Sequence, residues 1–229
     1  MKPIYVPKGK AKEYGDYALN IYMGCPNRCP YCYAPSVLRR DKEIFHSIVE
    51  PRKNIVEETR KQLEREGITG KLIHLCFTCD PYPVGYDSDA TRQIIKILKD
   101  HGNHVQILTK GDGKGDFDLL DDEDWYGITY DGSKVGLYDP EKRLADLRIA
   151  KEHGIKTWVS FEPVLDADRV LGCLEIAKYI DLFDKVKIGK LNYHPSGIDW
   201  NKFGHEAEEI CKKYGIDYYI KESLREEMK

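Results

Sequence analysis

The chain has 229 residues, a net charge of −3 at pH 7, 33% charged and 41% apolar residues. That length allows one domain or a small pair, and that apolar fraction can supply a core. The acidic balance argues against broad nucleic-acid binding, which draws on a basic surface. No apolar run has the length of a membrane span, and the opening MKPIYVPKGK lacks a signal-peptide core. The expectation is a cytoplasmic protein, with no membrane partner, whose seven cysteines serve metal binding or chemistry rather than disulfides.

In chain order, strand-like runs alternate with helical patterns. Ala18–Tyr22 is the first strand, and a cysteine-rich loop follows it. A helix is predicted over Asn54–Glu66, where Ile55 and Leu63 stand among charged residues before Gly67. Lys71–Phe77 is a strand, Asp89–Asp100 a helix carrying Ile94, Ile95, Ile97 and Leu98, and His104–Thr109 a strand. Gly111-Asp-Gly-Lys-Gly lacks Walker spacing and reads as a flexible turn. The acidic run Asp116–Asp124 reads as a solvated loop. Strand Trp125–Tyr130 leads to helix Pro140–His153, which opens on a proline suited to a first turn and stops at Gly154. Thr157–Phe161, Lys185–Ile188 and Tyr218–Ile220 are strands, separated by helices Ala167–Tyr179 and Gly204–Tyr214. The strands are short and rich in Val, Ile and Tyr, as strands buried on both faces tend to be. This alternation predicts an α/β fold with a parallel sheet and right-handed crossovers. About six strand–helix units are too few for a closed eight-stranded barrel, so a partial, open barrel is expected, as a single domain over 1–229.

In such sheets function gathers at the carboxyl ends of the strands. There fall the cysteine loop, Thr78–Pro83, Lys110, Glu162 and Lys190–His194. The loop reads Gly24-Cys25-Pro-Asn-Arg-Cys29-Pro-Tyr31-Cys32-Tyr33, a C-x3-C-x2-C spacing. Three thiolates so close can wrap one face of a cubic iron–sulfur cluster and leave the fourth iron open. A zinc site would want a fourth ligand, for which His46 and Cys76 are poorly spaced. Three buried structural thiols are the third reading.

On these residues the chain resembles the radical S-adenosylmethionine superfamily, whose signature is C-x3-C-x-aromatic-C after the first barrel strand. The resemblance implies a 4Fe–4S cluster on Cys25, Cys29 and Cys32, with S-adenosylmethionine chelating the open iron. It further implies reductive cleavage to a 5′-deoxyadenosyl radical and an electron donor such as flavodoxin or ferredoxin. Ala18-Leu-Asn-Ile-Tyr-Met-Gly-Cys25, Tyr33-Ala-Pro and Thr78-Cys79-Asp80-Pro81-Tyr82 are similar to the spore photoproduct lyase-like group. By that likeness Tyr31, Tyr33, Thr78, Cys79, Lys110 and Ser160 are cofactor contacts, with Lys110 on the methionyl carboxylate. The cysteine that donates hydrogen in spore photoproduct lyase would fall at Phe77. Strand alternation turns the adjacent Cys76 to the other face, so lesion repair by that path is not expected.

The remaining strand-end groups form the expected substrate pocket. Asp80 and Glu162 accept hydrogen bonds from ring N–H and amine groups, and Tyr82 stacks on a ring. Lys190, Asn192 and His194 complete the pocket after the sixth strand. Within the group the resemblance is to queuine lyases. It implies radical cleavage of a deazaguanine-like small molecule, queuine, to 7-aminomethyl-7-deazaguanine for tRNA modification. The open side of a short barrel suits a homodimer, with Glu43, Phe45 and His46 reaching a partner's pocket. The rival expectations are chemistry on a nucleic-acid base and a non-catalytic iron–sulfur or zinc protein.

Overall fold

The computed structural model describes residues 2–134 and 136–229, and over 177–180 the backbone only. β1 (Ile4–Tyr5) pairs antiparallel with β2 (Tyr17–Leu19). A separate ribbon joins β3 (Tyr22–Met23) to β4 (Glu50–Pro51). From β2 onward the main sheet is parallel through β5 (Leu72–Leu75), β6 (His104–Thr109), β7 (Trp125–Thr129), β8 (Lys156–Phe161), β9 (Lys185–Ile188) and β10 (Asp217–Ile220). The order β1-β2-β5-β6-β7-β8-β9-β10 leaves β1 and β10 as edges, so the barrel is open as expected.

After the short helices α1 (Ala34–Leu38) and α2 (Lys42–Ser47), the crossovers are α3 (Ile55–Glu66), α4 (Asp89–Asp100), a 3-10 helix at Lys114–Leu119, α5 (Pro140–Glu152), α6 (Ala167–Ile180) and α7 (Trp200–Tyr214). A last turn, α8 (Glu222–Arg225), follows β10. No helix among the described residues is long and apolar enough to cross a membrane. The apolar face of α4, Ile94, Ile95, Ile97 and Leu98, joins Ile73, Leu75, Val105 and Ile107 of the sheet in one buried core. The Asp139 side chain caps α5 by accepting from Glu141 N at 2.9 Å, and Pro140 fills the first turn.

Several boundaries differ from the sequence reading, each for a local reason. The strand expected over Ala18–Tyr22 divides at Asn20, whose Oδ1 accepts from Phe77 N at 2.8 Å and Thr78 N at 2.9 Å. Helix α7 starts at Trp200 rather than Gly204, because Asp199 caps it through Lys202 N at 3.0 Å. The acidic run is solvated only in part. Asp116 and Asp124 are buried; Arg92 pairs with Asp116 and Asp118, and Lys99 pairs with Asp121 and Asp124, clamping α4 to the loop. The glycine segment after β6 is packed at its first two glycines and open at Gly115. A Cβ on Gly111 would lie 1.9 Å from Tyr82 O, and one on Gly113 would lie 2.7 Å from the Tyr82 ring.

Candidate active site

The cysteine loop leaves β3 through Gly24, at φ +109, where a Cβ would meet Ile48 O at 2.2 Å. Only glycine tolerates that approach. Cys25 N donates to Phe45 O at 3.1 Å, and His46 Nδ1–H donates to Cys25 O at 2.8 Å, so α2 holds the loop's start. Cys32 N donates to Cys29 O at 3.0 Å and tightens its end. All three thiols are free and partly exposed. Burial pushes each of them above the ordinary thiol value, Cys25 furthest. Without a bound cation they are therefore thiols; thiolate ligation requires a metal's positive charge.

Among the described residues, the one group of three such ligand atoms all within 4.8 Å of one another is His104, Asp121 and Asp124. The three thiols are spread wider than the roughly 3.8 Å that one tetrahedral zinc with Zn–S bonds of about 2.3 Å would impose. Separate irons of one cluster suit that spread. Neither proposed fourth zinc ligand belongs to a compact ligand group among the described residues: His46 donates Nδ1–H to Cys25 O and keeps Nε2 unpartnered, and Cys76 is buried beside Cys79.

Beside the loop, Asp131 binds Tyr31 OH at 2.6 Å and Lys110 Nζ at 2.8 Å. Both charges are buried, the side chains of Lys110 and Asp131 being 8% and 1% exposed. Burial alone would raise the Asp131 carboxyl, but the Lys110 ammonium outweighs it and holds the carboxyl below its usual value. Lys110 Nζ also lies 5.6 Å from the centre of the Tyr31 ring. Asp80 is the second anchor. Its Oδ1 accepts from Tyr82 N at 2.9 Å and Thr109 Oγ1 at 2.5 Å, and its Oδ2 from Lys110 N at 2.8 Å and Asn27 Nδ2 at 3.1 Å. It therefore ties the cysteine loop to the ends of β5 and β6. Burial nevertheless raises its pKa.

The barrel interior is polar. Tyr14 follows a 3-10 helix at Gly9–Glu13 and crosses the open face into the lumen. Its hydroxyl donates to Glu162 Oε2 at 2.6 Å and lies 3.1 Å from Ser160 Oγ. Lys221 Nζ reaches the same Glu162 oxygen at 2.6 Å and Glu13 at 3.3 Å. His74 stacks on Phe77 with centroids 4.2 Å apart. Gln106 Nε2 donates to Tyr14 O, so it also donates to His74 Nδ1, 2.8 Å away. The proton of His74 therefore sits on Nε2, which is buried and has no partner. Burial, with Lys187 and Lys221 nearby, pushes His74 down to about 3.

The expected site residues divide into groups. Tyr31, Lys110 and the cysteines converge, and Tyr33 OH donates to Phe77 O at 2.6 Å across the loop. Cys79 Sγ accepts from Tyr22 N at 3.4 Å, and Thr78 Oγ1 accepts from Arg52 at 3.3 Å. Ser160 and Glu162 meet in the lumen. Tyr82 instead lies in the core, its hydroxyl on Asp116 at 3.1 Å. Phe45 and His46 are buried against the cysteine loop, and Glu43 pairs outward with Arg28. Lys190 pairs with Glu227, Asn192 accepts from Lys10 Nζ at 2.6 Å, and His194 is exposed. The sequence reading missed Asp131, Lys221, His74 and Tyr14. Asp131 and Lys221 stand just past β7 and β10, where the strand-end rule would have found them. His74 alternates inward on β5. Tyr14 carried no signal.

A family model described as the Radical SAM superfamily matches residues 19–168. An uncharacterized protein of Methanocaldococcus jannaschii is 28% identical over 194 residues, 75% of this chain and 68% of that protein. An uncharacterized protein of Acidianus two-tailed virus is 27% identical over 186 residues, 71% of this chain and 60% of that protein. Among solved structures, a spore photoproduct lyase mutant aligns with a TM-score of 0.70 at 11% identity, covering 95% of this chain and 79% of its own. Spore photoproduct lyase with bound AdoMet and dinucleoside spore photoproduct aligns at 0.69 with 12% identity, over 94% and 79%. Streptococcus suis SuiB bound to precursor peptide SuiA aligns at 0.64 with 10% identity, over 89% and 48%. At these identities the structures share a fold; they do not transfer a substrate.

Proposed function

The chain belongs to the Radical SAM superfamily and is an enzyme that uses a 4Fe–4S cluster and S-adenosylmethionine; from that premise we propose that it is a lyase acting on a small modified base, with queuine as the substrate and 7-aminomethyl-7-deazaguanine as the product. One domain over 1–229 carries the whole site. Cys25, Cys29 and Cys32 ligate the cluster. When bound, the cluster and S-adenosylmethionine would supply the radical chemistry.

The chain's own residues then have separable tasks. Lys110, oriented by Asp131, pairs with the carboxylate of S-adenosylmethionine, and Tyr31 and Tyr33 flank it. Thr78, Cys79 and Ser160 would be further contacts to the cofactor. Glu162 carries the substrate reading. Its Oε2 is occupied by Tyr14 and Lys221, and among the described residues nothing bonds Oε1. That oxygen is free to accept ring or amine N–H groups of the base. The unpartnered Nε2–H of His74 supplies a donor deeper in the lumen. Phe77 and Tyr14 exclude water around them.

The test is anaerobic reconstitution with a 5′-deoxyadenosine assay, with and without queuine. Release of 7-aminomethyl-7-deazaguanine supports the reading, and unchanged queuine alongside deoxyadenosine refutes the substrate alone. Cys29→Ala should lose both the cluster's spectrum and deoxyadenosine formation. Glu162→Gln should keep the cluster and lose queuine turnover.

A further inference from the structure

At the far end of the barrel from the cysteine loop, the amino-terminal ends of the strands surround a cavity of about 290 Å³. Gln106, Trp158, Lys187 and Tyr219, each the third residue of its strand, line it, with Trp125 and Tyr14. The volume lies just below the usual range of ligand pockets, roughly 300–1,000 Å³.

Lys187 is the unusual member. It is 7% exposed. Its neighbours Lys185 and Lys221 have carboxylate partners, Asp217 at 3.2 Å and Glu162 at 2.6 Å. Among the described residues no carboxylate lies within ion-pair distance of Lys187 Nζ. Its contacts are Glu13 O at 2.7 Å and the faces of Tyr14 and Trp158 at 4.8 and 5.6 Å. A carbonyl and two ring faces soften the burial of an ammonium but do not neutralise it. Burial, with Lys185 and Lys221 adding to it, lowers Lys187 to about 8. Fold stability alone would be served as well by an apolar side chain here.

We propose that this cavity binds a small planar monocarboxylate, with its carboxylate on Lys187 Nζ and its ring among Tyr14, Trp125, Trp158 and Tyr219. One uncompensated ammonium matches one negative charge. A phosphate dianion would need further donors and would meet Glu13 at the cavity wall. Aromatic walls favour a flat ligand over a branched one. The site is separate from the one proposed for the base. The two share Tyr14, whose ring lines the cavity while its hydroxyl holds Glu162.

The experiment is isothermal titration of the cluster-loaded protein with benzoate and indole-3-carboxylate. Benzyl alcohol serves as the uncharged counterpart and inorganic phosphate as the dianion. At least one acid should bind saturably and about tenfold or more tighter than benzyl alcohol. Lys187→Met should weaken the acid by about tenfold or more, while Lys212→Met, on α7 and outside the cavity lining, leaves it within about twofold. The proposal is overturned if neither acid saturates by about 10 mM, if benzyl alcohol or phosphate binds as tightly, or if Lys187→Met binds like the wild type. The comparison of ligands on the wild-type protein holds even if a variant folds poorly.

Discussion

Replacing Asp131 with Asn tests whether one buried charge pair organises the cofactor side of the lumen. Asn keeps an oxygen for the Tyr31 hydroxyl but removes the charge facing Lys110. At the observed 2.8 Å the gross attraction is about 6 kcal/mol for an effective dielectric near 20. Part of that offsets the desolvation of both groups. Breaking a buried pair by removing one partner costs about 3–5 kcal/mol, because the other charge stays buried alone. With total stability of about 5–15 kcal/mol, Asp131→Asn should shift the urea midpoint of the cluster-free protein strongly downward. Lys110→Met/Asp131→Asn removes both charges and should recover much of the loss. The assay is equilibrium urea unfolding of the wild type, both single variants and the double variant, followed by circular dichroism. A loss under about 1 kcal/mol for Asp131→Asn, or strictly additive single losses, would show that the two charges do not act as a pair.

Other substitutions probe the scaffold and the lumen. His74 is held near 3 by burial, well below its unfolded value of about 6.5. The unfolded chain therefore binds the proton first, and stability is full above about pH 6.5 and falls as pH drops toward 3. Between pH 7 and 4.5 the loss should be about 2–3 kcal/mol, and His74→Gln should remove that share of the slope in urea titrations. An unchanged slope would contradict it. Gly24→Ala forces a Cβ to within 2.2 Å of Ile48 O at a left-handed φ. It should cost about 1–3 kcal/mol and lower cluster occupancy, read as iron per chain. Gly127→Ala drives a Cβ to 2.1 Å from Trp158 Nε1, whose bond to Ile107 O is 2.9 Å. Thermal unfolding should fall by several degrees, with a changed near-UV signal.

The sequence made the strand–crossover alternation visible because the strands are buried on both faces and read as apolar runs. It also marked the cysteine loop, where three ligands for one group had to be local. Other features depended on residues far apart in the chain. The open edge strand β1 has two residues, too few for any period. Asp116 and Asp124 looked solvated because their cations, Arg92 and Lys99, lie on α4, more than twenty positions earlier. Tyr82 looked like a stacking residue until Gly111 and Gly113 were seen against it. The lumen was the least legible part. Its polar residues alternate with apolar ones at strand positions where apolar side chains were expected, and its central tyrosine comes from a segment without periodicity.

Glu13 gathers the first and last parts of the barrel. Its carboxylate meets Lys221, Tyr219 OH at 3.2 Å and Glu222 N at 2.9 Å. The Tyr219 contact spans 206 positions. At synthesis rates of about 5–20 residues per second, those contacts become available about 10–40 s after Glu13 is made. The cysteine loop is complete long before then. The seam between the first and last parts of the barrel is thus the last to be completed, and it depends on one carboxylate placed near the start of the chain.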